Sequence, residues 1–559
     1  MRKIKKTILL FLAIVTIFSL GIVNHKKEII ELNAQTENER MLKAVWVSPF
    51  VGDVSINGET TFRNTMTNVL NKLDSYGYNA LIFHIRIHNN ALYPSTINPK
   101  SPYVSNINFN NFDPITWLVD ETHKRGIEFH AWLNPYRPCE GRIASGSSMP
   151  SSNPEYSGNL ITSSDSSKGK ILDPSKWAVR NHIKLTVKEV IENYDVDAIH
   201  FDDYFYVPYS GYSEVEKIGH VNAMIEGVHD VITTHNANNN KHVQFGISPT
   251  GIYKNGNGVV SYDPNTGKVT SNGSYGTLGQ QHGREYLCSD TLHWMNEGWI
   301  DYIMPQIYWE RGNSHGDFNK VFTWWNQVAS YLPVNFYVGI GLYRATEAWG
   351  TDPYELSAQL GIIENSTDGE GYSIYSYRRF NESGAPATQL NNAYEGSNSH
   401  RKKPRVLPTI KSMTPIVPGH VGVNHSNGIL MWDSSSDAKF YYIFRSTGTL
   451  TYSDSEIYKV VGKNITSITT NDPYGTYNYG VKVLSATNHL SGQSIEDPSH
   501  TTYSITYNLN GGQFASYNNK EEITEAFLTD LHAFVNPSEN LTTFMHGVGK
   551  TSGFDGLWY

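Results

Sequence analysis

Cysteine is nearly absent from this chain of 559 residues: Cys139 and Cys288 are the whole complement. Two thiols are too few for a Cys₄ or Cys₃His zinc site. In so cysteine-poor a chain they read as two unpaired thiols ahead of one disulfide. Basic charge is also short. Lys and Arg number 44 against 53 Asp and Glu, a net charge of −9, which argues against a surface built to neutralise nucleic-acid phosphates. Charged residues are only 17% and hydrophobic ones 39%, which excludes a disordered chain and leaves a folded one. No glycine-rich phosphate loop follows the first expected strand, so the dinucleotide-binding signature of a doubly wound sheet is missing. No cofactor and no metal are called for.

What is present begins with a targeting signal. Arg2, Lys3, Lys5 and Lys6 precede an uncharged apolar run from Thr7 to Val23, the layout of a secretory signal. Leu32-Asn33-Ala34 is a mediocre cleavage site, so residues 1–34 are expected to be a signal peptide or a retained N-terminal anchor. The membrane is then touched through this segment alone. No cysteine follows the apolar run to carry a lipid. The remainder is expected to work outside the cytoplasm, secreted or at the cell surface. Residues 24–40 are polar and read as a short linker.

From residue 41 to 382 short apolar strands alternate with helix-period segments. Eight strands are expected: Lys43–Ser48, Asn79–Arg86, Ile127–Asn134, Val196–Asp202, Val243–Pro249, Ile300–Tyr308, Asn335–Tyr343 and Gly371–Tyr377. Amphipathic stretches such as Asp113–Arg125, Ser175–Asn193 and Glu285–Glu297 lie between them. Eight β-then-α units are the count of a (β/α)₈ barrel, and a doubly wound sheet is the alternative. Residues 383–404 are polar, end in a basic run, and read as a linker. Residues 405–500 switch to short strands with turns, which fits a fibronectin-type-III-like sandwich dispensable for attack on a soluble oligosaccharide. Residues 501–559 read as a small C-terminal module.

Side chains alternate along a strand, so in a barrel one set faces the axis and the other the helices. With Ile199 and Phe201 facing outward, His200 and Asp202 face the axis. The same parity aims His84 and Arg86, His130, Trp132 and Asn134, and Ser48, Ser248, Gln306, Tyr308 and Tyr343 inward. Active sites of this fold sit at the C-terminal strand ends, and there the inward residues are polar strand after strand. Asp202-Asp203 is the centre of the ring, since adjacent carboxylates suit general acid/base or nucleophilic work. A metal-binding or helix-capping acidic pair is the alternative. His84 and His88 do not add a metal site: four residues along a strand span roughly 13 Å.

Seven motifs in order carry a resemblance: Lys43-Ala44-Val45-Trp46-Val47, Asn79-Ala80-Leu81-Ile82-Phe83, Ala91-Leu92-Tyr93-Pro94-Ser95, His130-Ala131-Trp132-Leu133-Asn134-Pro135-Tyr136-Arg137, Asp197-Ala198-Ile199-His200-Phe201-Asp202-Asp203-Tyr204, Gly246-Ile247-Ser248-Pro249 and Asp301-Tyr302-Ile303-Met304-Pro305-Gln306-Ile307-Tyr308-Trp309. Together they make residues 41 to 380 similar to the glycosyl-hydrolase-like family ten, bacterial surface proteins with a (β/α)₈ barrel. The resemblance implies glycoside hydrolysis, directed in some relatives at peptidoglycan strands stripped of peptides. Where the family often carries Asp in the loop after the second strand, this chain has Asn90, so a carboxylate role is lost there.

The expectation is therefore a hydrolase of bacterial cell-wall or extracellular polysaccharide. Asp202 is the first catalytic carboxylate and Asp203 the second, with Glu310 as a third candidate and Glu347 also at the rim. Arg86, His84, Asn134, Tyr136, Arg137, His200, Gln306, Tyr308, Trp309 and Tyr343 are expected to bind the sugar. A metal-dependent polysaccharide deacetylase and a non-catalytic glycan-binding protein are the competing readings.

Overall fold

A computed structural model describes residues 40–275, 283–349, 351–472 and 475–496. The expected N-terminal segment 1–34 and C-terminal module 501–559 lie outside the described residues. All eight expected strands form and pair in parallel around one closed barrel. They are β1 (Leu42–Val47), β2 (Ala80–Arg86), β3 (Glu128–Leu133), β4 (Ala198–Phe201), β5 (Gln244–Ile247), β6 (Tyr302–Ile303), β7 (Asn335–Gly341) and β8 (Gly369–Tyr375).

A helix follows each strand, as parallel neighbours require: α1 (Glu59–Ser75), α2 (Pro114–Lys124), α3 (Trp177–Asn193), α4 (Glu214–Asn239), α5 (Thr291–Asn296), α6 (Phe318–Ala329), α7 (Glu355–Glu364) and α8 (Ala385–Tyr394). Their starts are written in the sequence. Asp113 accepts from the backbone of Ile115 and Thr116 ahead of Pro114, and Ser213 with Glu216 forms a capping box on α4. The expected Glu285–Glu297 helix is broken into a turn at Gly283–Tyr286 and the shorter α5.

The alternation holds. Val45, Val47, Leu81, Phe83, Ile199 and Phe201 pack in the core between strands and helices, whereas Ala44, Trp46, Ile82, Trp132, Ala198 and Tyr302 pack along the axis. Tyr302 fits there because strand β5 offers Gly246: a Cβ at that position would lie 1.8 Å from the phenol ring.

The expected linker at 383–404 is instead part of the barrel. It carries α8, whose Leu390, Ala393 and Tyr394 are buried, and the Tyr394 hydroxyl is shared with those of Tyr78 and Tyr372 at 2.9 Å each. Arg401 then pairs with Glu364 at 2.6 Å. The polar residues that suggested a linker lie on the solvent side of this segment or pair with partners remote in sequence. Beyond it two small, mainly antiparallel sheets form. One orders β13, β10, β9 and β15 and the other β12, β11 and β14, where the strands are β9 (Gly422–Ser426), β10 (Ile429–Trp432), β11 (Phe440–Ser446), β12 (Ile457–Gly462), β13 (Ser467–Thr469), β14 (Asn478–Leu484) and β15 (Ile495–Glu496). Leu430 and Trp432 from one sheet share a buried cluster with Tyr441, Ile443, Val481 and Val483 from the other. The opposite face of β11 does not meet solvent. Phe440, Tyr442 and Phe444, with Val406 and Leu407, join the axial cluster of the barrel, so the sheets close its N-terminal end.

Candidate active site

Strand β4 ends at Phe201, and the next two residues are the paired carboxyls. Asp202 is 5% exposed and ringed by donors. Trp132 Nε1 reaches its Oδ2 at 3.2 Å, Asn134 Nδ2 reaches Oδ1 and Oδ2 at 3.2 and 3.1 Å, and the Tyr204 backbone N–H reaches Oδ1 at 3.2 Å. Burial raises the pKa of this carboxyl, and the nearby Arg137 guanidinium with those donors works against the rise. Asp203 is half-buried and faces a cavity of about 400 Å³, a size suited to a small ligand or a few sugar units. Its carboxyl is pushed up to about 7, first by burial and then by the negative charge of Asp202. Two acids side by side cannot both ionise freely. The donor-rich Asp202 ionises first, and Asp203 retains its proton near neutrality.

The cavity is lined by Asp203, Thr250, Gly251, Gln306, Tyr308, Trp309, Asn313, His315, Tyr343 and Arg344. Gln306 is placed at the strand-end level by bridges to Thr250 and Gly339; its amide donates to the Ser248 carbonyl at 2.9 Å, and it lines the cavity beside Asp203. Tyr308 stacks on Tyr375 with ring centres 6.0 Å apart and stands edge-on to Tyr343 at 5.8 Å. The wall therefore offers aromatic faces beside a protonated carboxyl, which is what a pyranose ring and a glycosidic oxygen each need.

Asp202, Asn134, Gln306, Tyr308 and Tyr343 thus gather where parity placed them, and Asp203 and Trp309, which parity does not aim inward, join them on the cavity wall. Arg137 stands beside the carboxyls, its guanidinium 4.3 Å over the Tyr204 ring and 4.9 Å over that of Phe50. His84 is 1% exposed; it lies flat on Trp132 with ring centres 3.8 Å apart and bonds Ser48 Oγ through Nδ1 at 2.9 Å, so it supports the indole that serves Asp202. His200 is fully buried in the axis below the cavity.

Neither His84 nor His200 lines the cavity, which corrects their expected contact with the sugar, and four further expectations are corrected. The β2–β3 register slips between His84 and Arg86, which takes Arg86 off the axial parity. Its guanidinium goes to Asn89, Asn98 and the carbonyls of Asn134 and Pro135, and it braces the loop that presents Asn134 instead of meeting the cavity. Tyr136 is fully buried in the strand–helix core. Glu310 lies on the loop after β6 outside the cavity lining, with Oε1 taken by Asn313 at 2.6 Å. Glu347 is paired with Arg344 at 2.5 Å on the surface. Cys139 and Cys288 are both free and buried.

Tyr375, Thr250, Asn313, His315 and Arg344 were not singled out from the sequence. Tyr375 was within reach, because alternation from the outward-facing Ile374 puts it on the axis. The others sit on loops, where no period applies.

A model of the family described as glycosyl hydrolase-like 10 matches residues 41–222 and 217–355. The chain is 29% identical over 380 residues to glycosyl hydrolase YngK of Bacillus subtilis (strain 168), covering 60% of this chain and 68% of that one. It is 28% identical over 352 residues to glycosyl hydrolase DigH of Escherichia coli (strain K12), covering 57% and 76%. Among solved structures, the glycoside hydrolase domain of PgaB (BpsB) from Bordetella bronchiseptica aligns with a TM-score of 0.40 at 12% identity, over 64% of this chain and 100% of that one.

Proposed function

The chain belongs to the glycosyl hydrolase-like 10 family, and on that premise we propose that it hydrolyses O-glycosidic bonds of a bacterial cell-wall or extracellular polysaccharide, foremost peptidoglycan strands stripped of peptide. The observation that carries this is Asp203: a carboxyl on the wall of an aromatic-lined cavity and next to the donor-ringed Asp202, with burial and that neighbour's charge pushing it up to about 7. Asp203 gives its proton to the glycosidic oxygen as the C–O bond breaks. Asp202, kept anionic by Trp132, Asn134 and the Tyr204 N–H, opposes the positive charge that grows on the anomeric carbon. Water supplies hydroxide to that carbon, and its remaining proton returns to the carboxyl pair. Tyr308, Trp309 and Tyr343 hold sugar rings, and Gln306 orients Asp203.

The two sheets after residue 405 fit a fibronectin-type-III-like sandwich in strand number and in the Trp432–Tyr441 contact between them. The basic start and apolar run at the N-terminus support work outside the cytoplasm. The test is to incubate the protein with purified cell-wall glycans, with and without attached peptides, and to weigh the products. Shortened glycans from the peptide-free polymer are expected. Released acetate with strand length unchanged would instead favour the deacetylase, and binding without any product a glycan-binding protein.

A further inference from the structure

A file of hydrogen-bonded side chains runs down the barrel axis from the cavity floor into the C-terminal sheets, and its hydrogen positions follow from a fixed donor at one end and a carboxylate at the other. At the upper end Trp46 Nε1 points at His200 Nε2, 3.2 Å away. An indole nitrogen only donates, so His200 Nε2 accepts and carries no hydrogen. His200 is neutral, its pKa driven well down by burial, and its one hydrogen is therefore on Nδ1. That nitrogen meets the Tyr302 hydroxyl at 2.9 Å. Having accepted there, Tyr302 donates its own hydrogen to its second partner, His130 Nδ1, also at 2.9 Å. His130 then carries its hydrogen on Nε2 and donates it to Glu128 Oε2 at 2.9 Å. Glu128 Oε2 must accept for the file to close, and Oε1 meets only donors, Lys439 Nζ and Asn488 Nδ2, so the carboxyl is ionised although it is 1% exposed.

The counter-charge comes from outside the barrel. Lys439, the residue before β11, places Nζ 2.5 Å from Glu128 Oε1 and 3.0 Å from Asp197, with only 12% of its side chain exposed. We infer that Lys439 is a positioning residue for the cavity floor: by keeping Glu128 ionised, it fixes the tautomers of His130 and His200, two and four side chains away along the file. The floor depends on this because His200 Nε2 also binds Ser248 Oγ at 3.0 Å, and the Ser248 carbonyl anchors Gln306, which lines the cavity beside Asp203. Trp46, the other partner of His200, stands edge-on to Tyr375 at 6.2 Å. If Glu128 took a proton and donated it, every bond in the file would reverse; His200 Nε2–H would turn to Ser248 Oγ, and the Trp46 N–H would lose its acceptor. A buried polar group left without its partner costs about 1–3 kcal/mol, so the floor would shift to relieve it.

The consequence for turnover rests on the glycosidase reading above, but the tautomers do not. The test uses the full chain labelled with ¹⁵N-histidine, with ring-nitrogen signals assigned through His130→Gln and His200→Gln. Wild type is expected to show His200 protonated on Nδ1 and His130 on Nε2. Lys439→Met is expected to move the His130 hydrogen toward Nδ1 and to lower kcat at least about tenfold with little change in KM, since a misplacement of about 1 Å can cost up to about 10²-fold. Lys439→Met/Glu128→Gln restores a neutral acceptor through the amide oxygen and should recover both the wild-type tautomers and turnover. Opposite tautomers in wild type would overturn the inference, as would unchanged tautomers in Lys439→Met. If Lys439→Met does not fold, the double variant decides: full turnover with His130 protonated on Nδ1 overturns it. A wild type with these tautomers but no activity on any glycan would sink the glycosidase reading alone.

Discussion

The amide of Asn134 spans both carboxylate oxygens of Asp202, at 3.2 and 3.1 Å. With the Trp132 indole on the same group, this divides the labour between two neighbouring acids: Asp202 is the anion and Asp203 the proton carrier. Asp203→Asn is nearly isosteric and should keep the fold while lowering turnover at least about 10²-fold, the low end for a positioned acid. Steady-state kinetics with circular dichroism on the same sample checks both halves. Turnover within a few-fold of wild type would remove Asp203 from the mechanism.

The same division sets the pH dependence. Activity needs Asp203 protonated, so kcat/KM should fall above an apparent pKa of about 7. The charge of Asp202 is the second cause of that raised value. Any residual activity of Asp202→Asn should therefore lose its alkaline limb at lower pH than wild type. A limb that stays in place would mean that some other group titrates there.

Stability should move with the same proton. Unfolded Asp203 releases it near pH 4, the usual aspartate range of about 3.9, whereas the folded chain holds it until about pH 7. Between those values the native state binds more protons than the unfolded one, so stability falls as pH rises through this window and levels off above it. Asp203→Asn abolishes this contribution. Its Tm should exceed that of wild type at pH 8 and converge with it near pH 4, as read by calorimetry; an equal offset at both pH values would contradict the assignment.

A chain ending at Arg405 should not fold. It would uncover the N-terminal end of the barrel, where Val406, Leu407, Phe440, Tyr442, Phe444 and Leu484 pack against the axial residues. At about 1.5–3 kcal/mol for each large apolar side chain, their loss rivals the whole stability of a typical domain, about 5–15 kcal/mol. Limited proteolysis and gel filtration of the truncated chain test this; a soluble, protease-resistant barrel would restore the expectation of a separable module.

The eight strands and their facing were legible because apolar alternation is a local signal, and Ile199-His200-Phe201-Asp202 states it in four residues. Arg86 escaped because one bulge in β2 undoes parity for everything after it, and nothing local in His84-Ile85-Arg86 announces a bulge. Asp203 was ranked below Asp202 because parity sees direction but not donors; its role follows from Asn134 and Trp132 serving its neighbour. The segment 383–404 looked like a linker because the partners that bury it, Glu364 for Arg401 and Tyr78 for Tyr394, are far away in sequence. The same distance hid Lys439, one surface-like lysine among many until the fold sets it beside Glu128.

The most direct measurement is the release of new reducing ends from peptide-free cell-wall glycan strands by wild type and by Asp203→Asn at equal concentration. Wild type should generate them in step with a fall in strand length, and Asp203→Asn should bind the same strands while generating at least about 10²-fold fewer per unit time. Strands that remain at full length with wild type, or that shorten equally with both proteins, would contradict glycosidic hydrolysis by this carboxyl.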